Sequence, residues 1–445
     1  MKKSEEVIAK DSKYFAQAGR IPYYPLVVDE AHGSIIKDID GKEYIDLLTS
    51  ASALNVGHTP EKVVQAIKDQ TDKFIHYTPA YMHHQPVADL AERLAEISPG
   101  NFEKQVSFGL SGSDANDALI KFARGYTGRD LIITFENAYH GSTYGSISMS
   151  SISLNMRRKI GPLVPGFHHV PFPDNYRGMY GQTEPNTVEE YLAPLKQMLE
   201  TYVPADNVAA IVIETLQGDG GLLEPVPGYF EALYELCQEH EILFCVDDVQ
   251  QALGRTGTWS SVEHFDVEAD LIVYGKSLAG GLPLSALVGR KEIMESLDAP
   301  AHLFTTAANP VACQASLAVL DMIEEEDLLT ASTEKGDYVR ERMAEWEDKF
   351  EFVGDTRGIG LSIGVDIVQD KVSKEKDADA ALKITNRCFE KGVLMISFAG
   401  SVLRFQPPLV ITYDELDRAL DILEESMEEL QAGKLDGYDV SGQGW

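Results

Sequence analysis

The sequence predicts an α/β fold in which helices cover both faces of a mostly parallel β-sheet. Between about Ala80 and Gly289, short runs rich in β-branched residues alternate with segments of helical periodicity. These runs are continuously apolar, which is typical of strands that are buried on both faces. The runs are LIITFE (131–136), VAAIVIE (208–214), ILFCVDD (242–248), LIVYGK (271–276) and SALVG (285–289).

The segments on either side are expected to form a smaller second domain. The N-terminal segment VVDEAHGSIIKDIDGKEYIDL has the alternation of a hairpin, with Asp40-Gly41 at its turn. Near the C terminus an apolar stripe recurs at helical spacing: Leu416, Leu420, Leu423, Met427 and Leu430. The 445 residues contain no repeat or long linker, so we expect an N-terminal arm and hairpin over 1–60, a large domain over 61–305 and a C-terminal small domain over 306–445.

The charge balance disfavours several classes of partner. The chain has 71 Asp and Glu residues against 38 Lys and Arg residues, a formal net charge of −33, which argues against nucleic acid and anionic membrane surfaces. The N terminus lacks the apolar core of a signal peptide and no stretch has the roughly 18 apolar residues of a membrane span, so we expect a cytoplasmic protein. The four cysteines and the paired histidines have no spacing that indicates a disulfide framework or a metal site.

Polar side chains stand at the carboxyl ends of several predicted strands. Glu214 ends one run, Asp247 and Asp248 end the next, and Lys276 ends a third. Ligands of open α/β sheets bind beyond the carboxyl ends of the strands. These residues therefore mark the expected binding crevice.

Asp247 and Lys276 form the strongest candidate constellation. The aspartate lies in VDDVQQALGRTG (246–257), and the lysine follows the next apolar run, just before a glycine-rich turn. Pyridoxal phosphate requires such a pair, an amine that holds its aldehyde and a carboxylate that keeps its pyridine nitrogen protonated. Taken singly, either residue has a structural explanation, as a lysine that extends to solvent or an aspartate that caps a helix.

A second candidate is an anion site at the start of a helix in SFGLSGSDANDALIKFAR (107–124). Gly112 and Ser113 would present backbone N–H groups and a hydroxyl at the helix N-terminus, where the helix dipole favours anions. Ordinary helix capping explains the same residues. In NAYHGSTYGS, Tyr139 would stand in a turn and either stack on a flat ring or serve as a core aromatic.

Together these motifs resemble the class III aminotransferases, the 4-aminobutyrate and ornithine type, which belong to the fold type I pyridoxal-phosphate enzymes. The resemblance covers nearly the whole chain. It rests on an ordered series of motifs: SGSDAND, AYHG, ETLQGDGG, DDVQQALGRTG, GKSLAGGLPLSA, FTTAANP and RFQPPLVIT. It implies a large domain with a mostly parallel seven-stranded sheet between helices, and a smaller α+β domain from the N- and C-terminal segments.

The resemblance also implies roles for individual residues. The cofactor-binding residues would be Lys276 at the aldehyde, Asp247 at the ring nitrogen, Gln250 near the ring hydroxyl, Tyr139 on the ring, Gly112 and Ser113 at the phosphate, and Thr305 reaching the phosphate from the neighbouring subunit. Glu214 and Arg404 match the pair that governs binding of the substrate carboxylate in the aminotransferases. A site shared in this way implies a homodimer or a tetramer of dimers.

One position departs from the aminotransferase pattern and bears on the reaction. After the YHG motif, the 4-aminobutyrate enzymes often have an arginine that binds a distal carboxylate, whereas this chain has Ser142. Without that bidentate contact, a dicarboxylate amino acceptor would bind more weakly.

Segments outside the cofactor motifs are more similar to the isoleucine 2-epimerases of lactobacilli, a group within this family. They are HYTPAY (76–81), YHGSTYGS (139–146), LNMRRKIGP (154–162), DAPAHLFTTAANP (298–310) and LRFQPPLV (403–410). This similarity implies an amino-acid racemase or 2-epimerase that inverts Cα of non-polar, branched-chain substrates, with Lys276 and Asp219 as its two acid/base groups. Asp219 has an alternative interpretation as an ordinary turn residue in Gly-Asp-Gly-Gly.

The sequence leaves two other functions open. A class III aminotransferase would use the same cofactor machinery with a keto-acid acceptor. A non-catalytic dimer would retain the fold for regulation or scaffolding, but this alternative is disfavoured because Asp247, Lys276 and the predicted phosphate-binding segment are all present.

Overall fold

The computed structural model describes residues 2–444, which divide into two compact units. Glu61–Leu329 form the large unit, and the residues up to Pro60 together with those from Thr330 onward form the second unit. In chain order the helices are α1 (Lys3–Tyr14), the left-handed turn α2 (Thr49–Ser52), α3 (Glu61–Lys73), α4 (Gln85–Ile97), α5 (Gly112–Thr127), α6 (Tyr144–Met149), α7 (Leu154–Arg157), α8 (Val188–Thr201), α9 (Tyr229–Glu239), α10 (Lys291–Met294), α11 (Pro310–Glu325), α12 (Leu328–Lys349), α13 (Ala378–Lys391) and α14 (Tyr413–Gln431). The strands are β1 (Val28–His32), β2 (Ile35–Asp38), β3 (Glu43–Asp46), β4 (Lys104–Gly109), β5 (Leu131–Phe135), β6 (Phe167–Val170), β7 (Val208–Ile213), β8 (Leu243–Asp247), β9 (Leu271–Tyr274), β10 (Ser285–Arg290), β11 (Val353–Ile359), β12 (Ser362–Ile367), β13 (Val393–Leu394), β14 (Ile396–Phe398) and β15 (Val402–Phe405).

The large unit contains a seven-stranded sheet in the order β4-β10-β9-β8-β7-β5-β6. The pairs from β9 through β6 are parallel, whereas β10 is antiparallel to both of its neighbours, β9 and β4. Residues 275–284 connect β9 to β10, and this connection is shorter than the dozen or more residues of a typical parallel crossover. The prediction of a mostly parallel sheet of seven strands is therefore confirmed, with one reversed strand.

The strands of this sheet are buried by helices, as their composition predicts. All six residues of β7 are buried. Helix α5 packs Ala115, Leu119 and Phe122 into one apolar cluster with side chains of β5, β7, β8, β9 and β10. Strand β6 was not predicted from the sequence, because it is short, contains two histidines and lies at the edge of the sheet.

Helix α11 belongs to the large unit, although the sequence analysis placed it in the C-terminal small domain. Eleven of its sixteen residues are buried, and it packs on α3 and α4. A helix that is apolar around most of its circumference has to lie inside packed layers. The boundary between the units consequently falls at 329/330, not at 305/306.

The second unit contains two four-stranded sheets, β1-β2-β3-β13 and β11-β12-β15-β14. Strands β2 and β3 pair antiparallel as the expected hairpin. Gly41 in its turn has a φ of +94°, a conformation that glycine adopts without strain. Helix α14 buries the expected apolar stripe through Leu416, Leu420, Leu423 and Met427.

Within residues 2–444, no helix combines the length and the apolar character needed to cross a membrane. The same part of the chain contains no group of three or more His, Cys, Asp or Glu side chains that could hold a metal ion. The four cysteines are buried and unpaired.

Candidate active site

A cavity of about 210 Å³ lies at the carboxyl edge of the seven-stranded sheet. Residues that follow β7, β8 and β9 form its walls together with the first turns of α5. Eight residues expected in the site line it: Gly112, Ser113, Tyr139, Glu214, Asp219, Asp247, Gln250 and Lys276. Ser142 and Thr305 belong to the large unit but are not lining residues, and Arg404 lies in β15 of the second unit.

Asp247 ends β8, and its carboxylate is held by donors from three parts of the chain. Oδ2 accepts hydrogen bonds from His140 Nδ1 at 2.7 Å and from Asn116 Nδ2 at 2.8 Å. Oδ1 accepts one from the Val249 backbone N–H at 3.1 Å. The side chain is almost inaccessible to water, so these donors replace the hydration that would otherwise stabilise its charge. The cavity wall therefore carries an oriented carboxyl group.

His140 is buried beside Asp247, and its Nε2 lies 3.0 Å from Thr134 Oγ1. Burial lowers the pKa of the imidazole, but the hydrogen bond and the charge of Asp247 together outweigh burial and raise this pKa above its ordinary value.

Asn116 also lines the cavity, and the sequence analysis did not single it out. It stands one helical turn after Gly112 in α5 and is almost completely buried. Positions four apart share one face of a helix. This spacing was the available signal, because Gly112 was already a site candidate.

Glu214 is buried just after β7, where its carboxyl accepts hydrogen bonds from two backbone N–H groups. These are Tyr139 N–H at 3.2 Å and Gly218 N–H at 2.8 Å. Burial raises the pKa of Glu214 to about 7; the charge of His140 opposes this rise, and the charges of Asp247 and Asp219 add to it. Glu214 therefore changes its protonation state near neutral pH.

The N-terminus of α5 has the form of the expected anion cradle. Ser111 caps this helix in a reciprocal capping box with Asp114. A Cβ at Gly112 would lie 2.9 Å from Val249 Cγ1, so this close approach requires a glycine. Ser113 Oγ accepts a hydrogen bond from the Ser142 backbone N–H at 3.0 Å, which ties the loop containing Ser142 to the helix start.

Lys276 occupies a strained backbone position beside this cradle. Its φ is +44°, a left-handed conformation that costs a non-glycine residue about 1–3 kcal/mol. The preceding Gly275 packs closely, since a Cβ there would lie 3.2 Å from Val249 Cγ1 and 3.4 Å from Gly112 Cα. Strain of this kind is concentrated at functional sites, where the surrounding structure imposes it.

Gln250, Asp219 and Tyr139 complete the set of lining residues expected from the sequence. A Cβ at Gly218 would lie 2.4 Å from Gln250 Oε1, so the turn that carries Asp219 packs directly on the Gln250 side chain. The Tyr139 hydroxyl lies 3.2 Å from Ser142 Oγ. Burial raises the pKa of Tyr139, which keeps this hydroxyl neutral at physiological pH.

The two remaining candidates, Thr305 and Arg404, have different surroundings. Thr305 is exposed, and its backbone carbonyl lies 2.9 Å from His76 Nε2. Arg404 is buried in β15, where its guanidinium lies 4.0 Å from the centre of the Phe398 ring. The roles expected of both residues remain predictions.

The aminotransferase class-III family profile matches residues 16–427. The chain belongs to the class-III aminotransferase family. An isoleucine 2-epimerase of Lentilactobacillus buchneri is 52% identical to it over 445 residues, which cover 100% of this chain and 99% of that protein. A leucine/methionine racemase of Thermococcus litoralis is 44% identical, and the match covers 97% of this chain and 97% of that protein. A probable 4-aminobutyrate aminotransferase of Bacillus subtilis is 36% identical, over 89% of this chain and 92% of that protein.

Among solved structures, an ornithine aminotransferase of Toxoplasma gondii superposes with a TM-score of 0.85. It is 28% identical, and the match covers 97% of this chain and 96% of that one. That structure is described with partial occupancy of pyridoxal phosphate at its active site. The resemblance and the fold expected from the sequence are thus confirmed.

Pyridoxal phosphate is the cofactor of class-III aminotransferases, and the cavity residues fit it. They provide a lysine, a hydrogen-bonded carboxyl group, an aromatic ring and a helix N-terminus in one place. Asn116 Oδ1 gives a further test, because it is buried and has no hydrogen-bond partner within residues 2–444. Such groups are rare in folded proteins, and a polar ligand in the cavity can donate to this oxygen.

Glu214 should make the free energy of unfolding of the cofactor-free protein fall between about pH 4.5 and pH 7. Folding raises the pKa of this carboxyl from 4.5 to about 7, so the native state holds a proton that the unfolded state has released in this window. The contribution is fully present below pH 4.5 and is lost as the pH rises through 7. Glu214→Gln removes this dependence, so relative to wild type we expect the variant to gain up to about 3 kcal/mol of stability between pH 4 and pH 8. This gain comes on top of a pH-independent loss, because the single amide oxygen cannot accept from both backbone N–H groups.

Urea unfolding of wild type and variant at the two pH values measures this difference. Asp206→Asn is the matched control, because it neutralises an exposed carboxyl just before β7, at the opposite end of that strand. The assignment would be contradicted by a difference between Glu214→Gln and wild type that is the same at both pH values.

Proposed function

We propose that the protein is a pyridoxal-phosphate-dependent racemase or 2-epimerase that inverts Cα of non-polar, branched-chain amino acids. The observation that carries the proposal is that two candidate proton carriers, Lys276 and Asp219, line one cavity. They follow β9 and β7, the two strands that flank β8 and its Asp247. Inversion needs one group that removes the Cα proton and another that returns a proton from the other side.

Sequence similarity supports the same reaction. The chain is more similar to the epimerase and to the racemase than to the 4-aminobutyrate aminotransferase, and these similarities extend over nearly its whole length. Ser142 stands where the 4-aminobutyrate enzymes often have an arginine, and it is exposed. The short hydroxyl at this position suits a non-polar amino acid better than a dicarboxylate.

In the proposed mechanism, the cavity residues first fix the cofactor. The N-terminal amides of α5 at Gly112 and Ser113 would bind its phosphate, and Asp247 would keep its ring nitrogen protonated. Tyr139 would pack on the ring, and Gln250 would contact the ring hydroxyl. When bound, pyridoxal phosphate supplies an acceptor for the electron pair that Cα keeps after losing its proton.

Lys276 and Asp219 then exchange protons with Cα. For one enantiomer, Lys276 Nζ accepts the Cα proton and the Asp219 carboxyl donates a proton to the opposite side; for the other enantiomer the roles are reversed. Burial raises the pKa of Glu214 to about 7, and the charge of the partly buried Asp219 adds to this rise, which limits repulsion between the two carboxyl groups.

An aminotransferase is the second candidate. The pair of Glu214 and Arg404, which matches the carboxylate-binding pair of the family's aminotransferases, favours it. Such an enzyme would consume one equivalent of amino acid and turn over only when a keto acid is supplied.

Incubation with L-isoleucine in heavy water, without any keto acid, should yield D-allo-isoleucine that carries deuterium at Cα. Chiral chromatography coupled to mass spectrometry measures both the product and the label. Lys276→Ala should lower the rate of inversion by at least roughly 10²–10⁴-fold, which is the usual contribution of one acid/base group. The proposal fails if Ile, Val, Leu, Met and Phe all give neither exchange nor a D-product, and turnover that requires pyruvate or 2-oxoglutarate would identify the aminotransferase.

Asp219→Asn should separate exchange from inversion. A variant that lacks one of two proton carriers still exchanges Cα hydrogen of one enantiomer through Lys276, but inversion should fall by about 10²–10⁴-fold. Deuterium uptake and chiral product are measured for each enantiomer separately, with Asp206→Asn as the control. Equal loss of exchange from both enantiomers, or no loss of inversion, would refute a two-base role for Asp219.

We further propose that the enzyme is a homodimer whose sites are shared between subunits. The segment 74–82 leaves large apolar side chains in solvent, among them Ile75 at 65% exposure and Tyr81 at 71%. Clusters of this kind mark protein interfaces. His76 of the same segment contacts the Thr305 carbonyl, so Thr305 lies beside this surface and is available to the site of a second copy.

Mixed dimers of Lys276→Ala and Thr305→Glu should regain activity that neither variant has alone. Each mixed dimer would contain one site in which both residues are wild type, so the isolated mixed dimer should have about half of the wild-type activity. Co-expression with two affinity tags isolates the mixed dimer for assay. Lys276→Ala mixed with Asp219→Asn is the matched control and should gain nothing, because those two residues line one cavity of the same chain; an absence of gain with Thr305→Glu would contradict the shared site.

A further inference from the structure

Asn116 makes contacts that helix geometry does not require. A polar side chain inside a helix can bond to the carbonyl four residues earlier, and Asn116 Nδ2 does so with Gly112 O at 3.1 Å. The same nitrogen also donates to His140 O at 2.9 Å and to Asp247 Oδ2 at 2.8 Å. One amide therefore joins the start of α5, the loop after β5 and the end of β8.

The contact with Asp247 is charge-assisted and shielded from water. A hydrogen bond to an ionised group is about twice as strong as one between neutral groups, and both side chains are buried. Asp247 Oδ2 receives the bonds from Asn116 and His140, whereas Oδ1 receives one from the Val249 backbone. A carboxylate oxygen can accept more than one bond, so Oδ1 retains capacity for a donor in the cavity.

His140, the second side chain with a hydrogen bond to Asp247 here, is titratable. Other titratable groups act on Asp247 or share its cavity: Glu214 after β7, Asp248 next to it in the chain, and Tyr139, Asp219 and Lys276 in the cavity wall. Asn116 is neutral at every pH. The bond from Asn116 to Asp247 therefore does not depend on any change in the protonation of its donor.

We propose that Asn116 is a positioning residue that holds Asp247 ionised and aligned with the ring nitrogen of the cofactor. The inference rests on the proposed function, because it needs pyridoxal phosphate in this cavity. His140 and Asn116 donate to the same oxygen of Asp247. The His140 ring can lose its charge, whereas the Asn116 amide carries none. The pair therefore keeps the carboxylate fixed over a wider pH range than His140 alone.

Cofactor binding tests this inference without any turnover. Titration of the full-length apoprotein with pyridoxal phosphate, followed by tryptophan fluorescence, gives the dissociation constant. The ¹⁵N NMR shift of ring-labelled pyridoxal phosphate reports protonation of the ring nitrogen in the holoenzyme. Asn116→Ala should weaken binding about tenfold, as expected for loss of a hydrogen bond to a charged group, and the ring nitrogen should lose its proton about one pH unit lower.

Asn116→Asp provides a second variant of nearly the same size. It replaces the donor by a second carboxylate against Asp247, so we expect weaker binding than with alanine at pH 8 and partial recovery at low pH. Asn386→Ala is the matched control: Asn386 in α13 makes the same kind of bond to the carbonyl four residues earlier, Leu382, but is not a cavity residue. It should leave both readouts at their wild-type values.

The outcomes distinguish this inference from the proposed function. Wild-type cofactor affinity and nitrogen titration in both Asn116 variants, even with lower thermal stability, would overturn the inference and indicate a packing role. If the wild-type protein binds no pyridoxal phosphate, the proposed function and this inference both fail. If it binds the cofactor and the variants behave as expected but no amino acid is inverted, the proposed reaction fails while the role of Asn116 stands.

Discussion

The buried carboxyl group of Asp247 at the end of β8 is the constraint on which the arrangement of the cavity depends. Burying such a group without hydrogen-bond partners is costly, so the fold has to bring donors to it. For Asp247 these donors are Asn116 of α5, His140 of the loop after β5 and the Val249 amide of its own turn. Satisfying one side chain therefore fixes three elements relative to one another, and the shape of the cavity follows from that arrangement.

Hydrogen bonds from backbone amides and a raised pKa both stabilise carboxyl groups in the cavity. Glu214, Asp219 and Asp247 line the same space as a single lysine, in a chain whose net charge is already −33. Backbone amides of Tyr139 and Gly218 bind Glu214, and the raised pKa of Glu214 removes one negative charge near neutral pH. Electrostatic strain in the site is limited by protonation and by fixed dipoles, so local charge cannot be inferred from the overall composition.

The sequence allowed the carboxyl edge of the sheet to be predicted, because polar residues end several apolar runs there. Three of these residues, Glu214, Asp247 and Lys276, line one cavity in the structure. Asn116 was not singled out, although its position four residues after Gly112 put it on the same face of the helix. Whether that face meets the cavity depends on where the helix packs, which the sequence does not show. The direction of β10 was equally hidden, because an apolar run carries no information about its pairing. The prediction assigned helix α11 to the C-terminal small domain because of its position in the chain. In the structure its buried residues pack within the large unit.

The reversed strand β10 determines where α5 begins. Because β10 is antiparallel to both β9 and β4, β4 runs in the same direction as β9, the strand that precedes Lys276. The carboxyl end of β4 at Gly109 therefore opens on the edge that holds Asp247, and α5 starts after only Leu110 and Ser111. Had β4 run the other way, the first amides of α5 would stand one strand length away, about 20 Å. The helix N-terminus lies beside Lys276 because the number of antiparallel pairings between β9 and β4 is even. This placement follows from strand direction and not from any side chain.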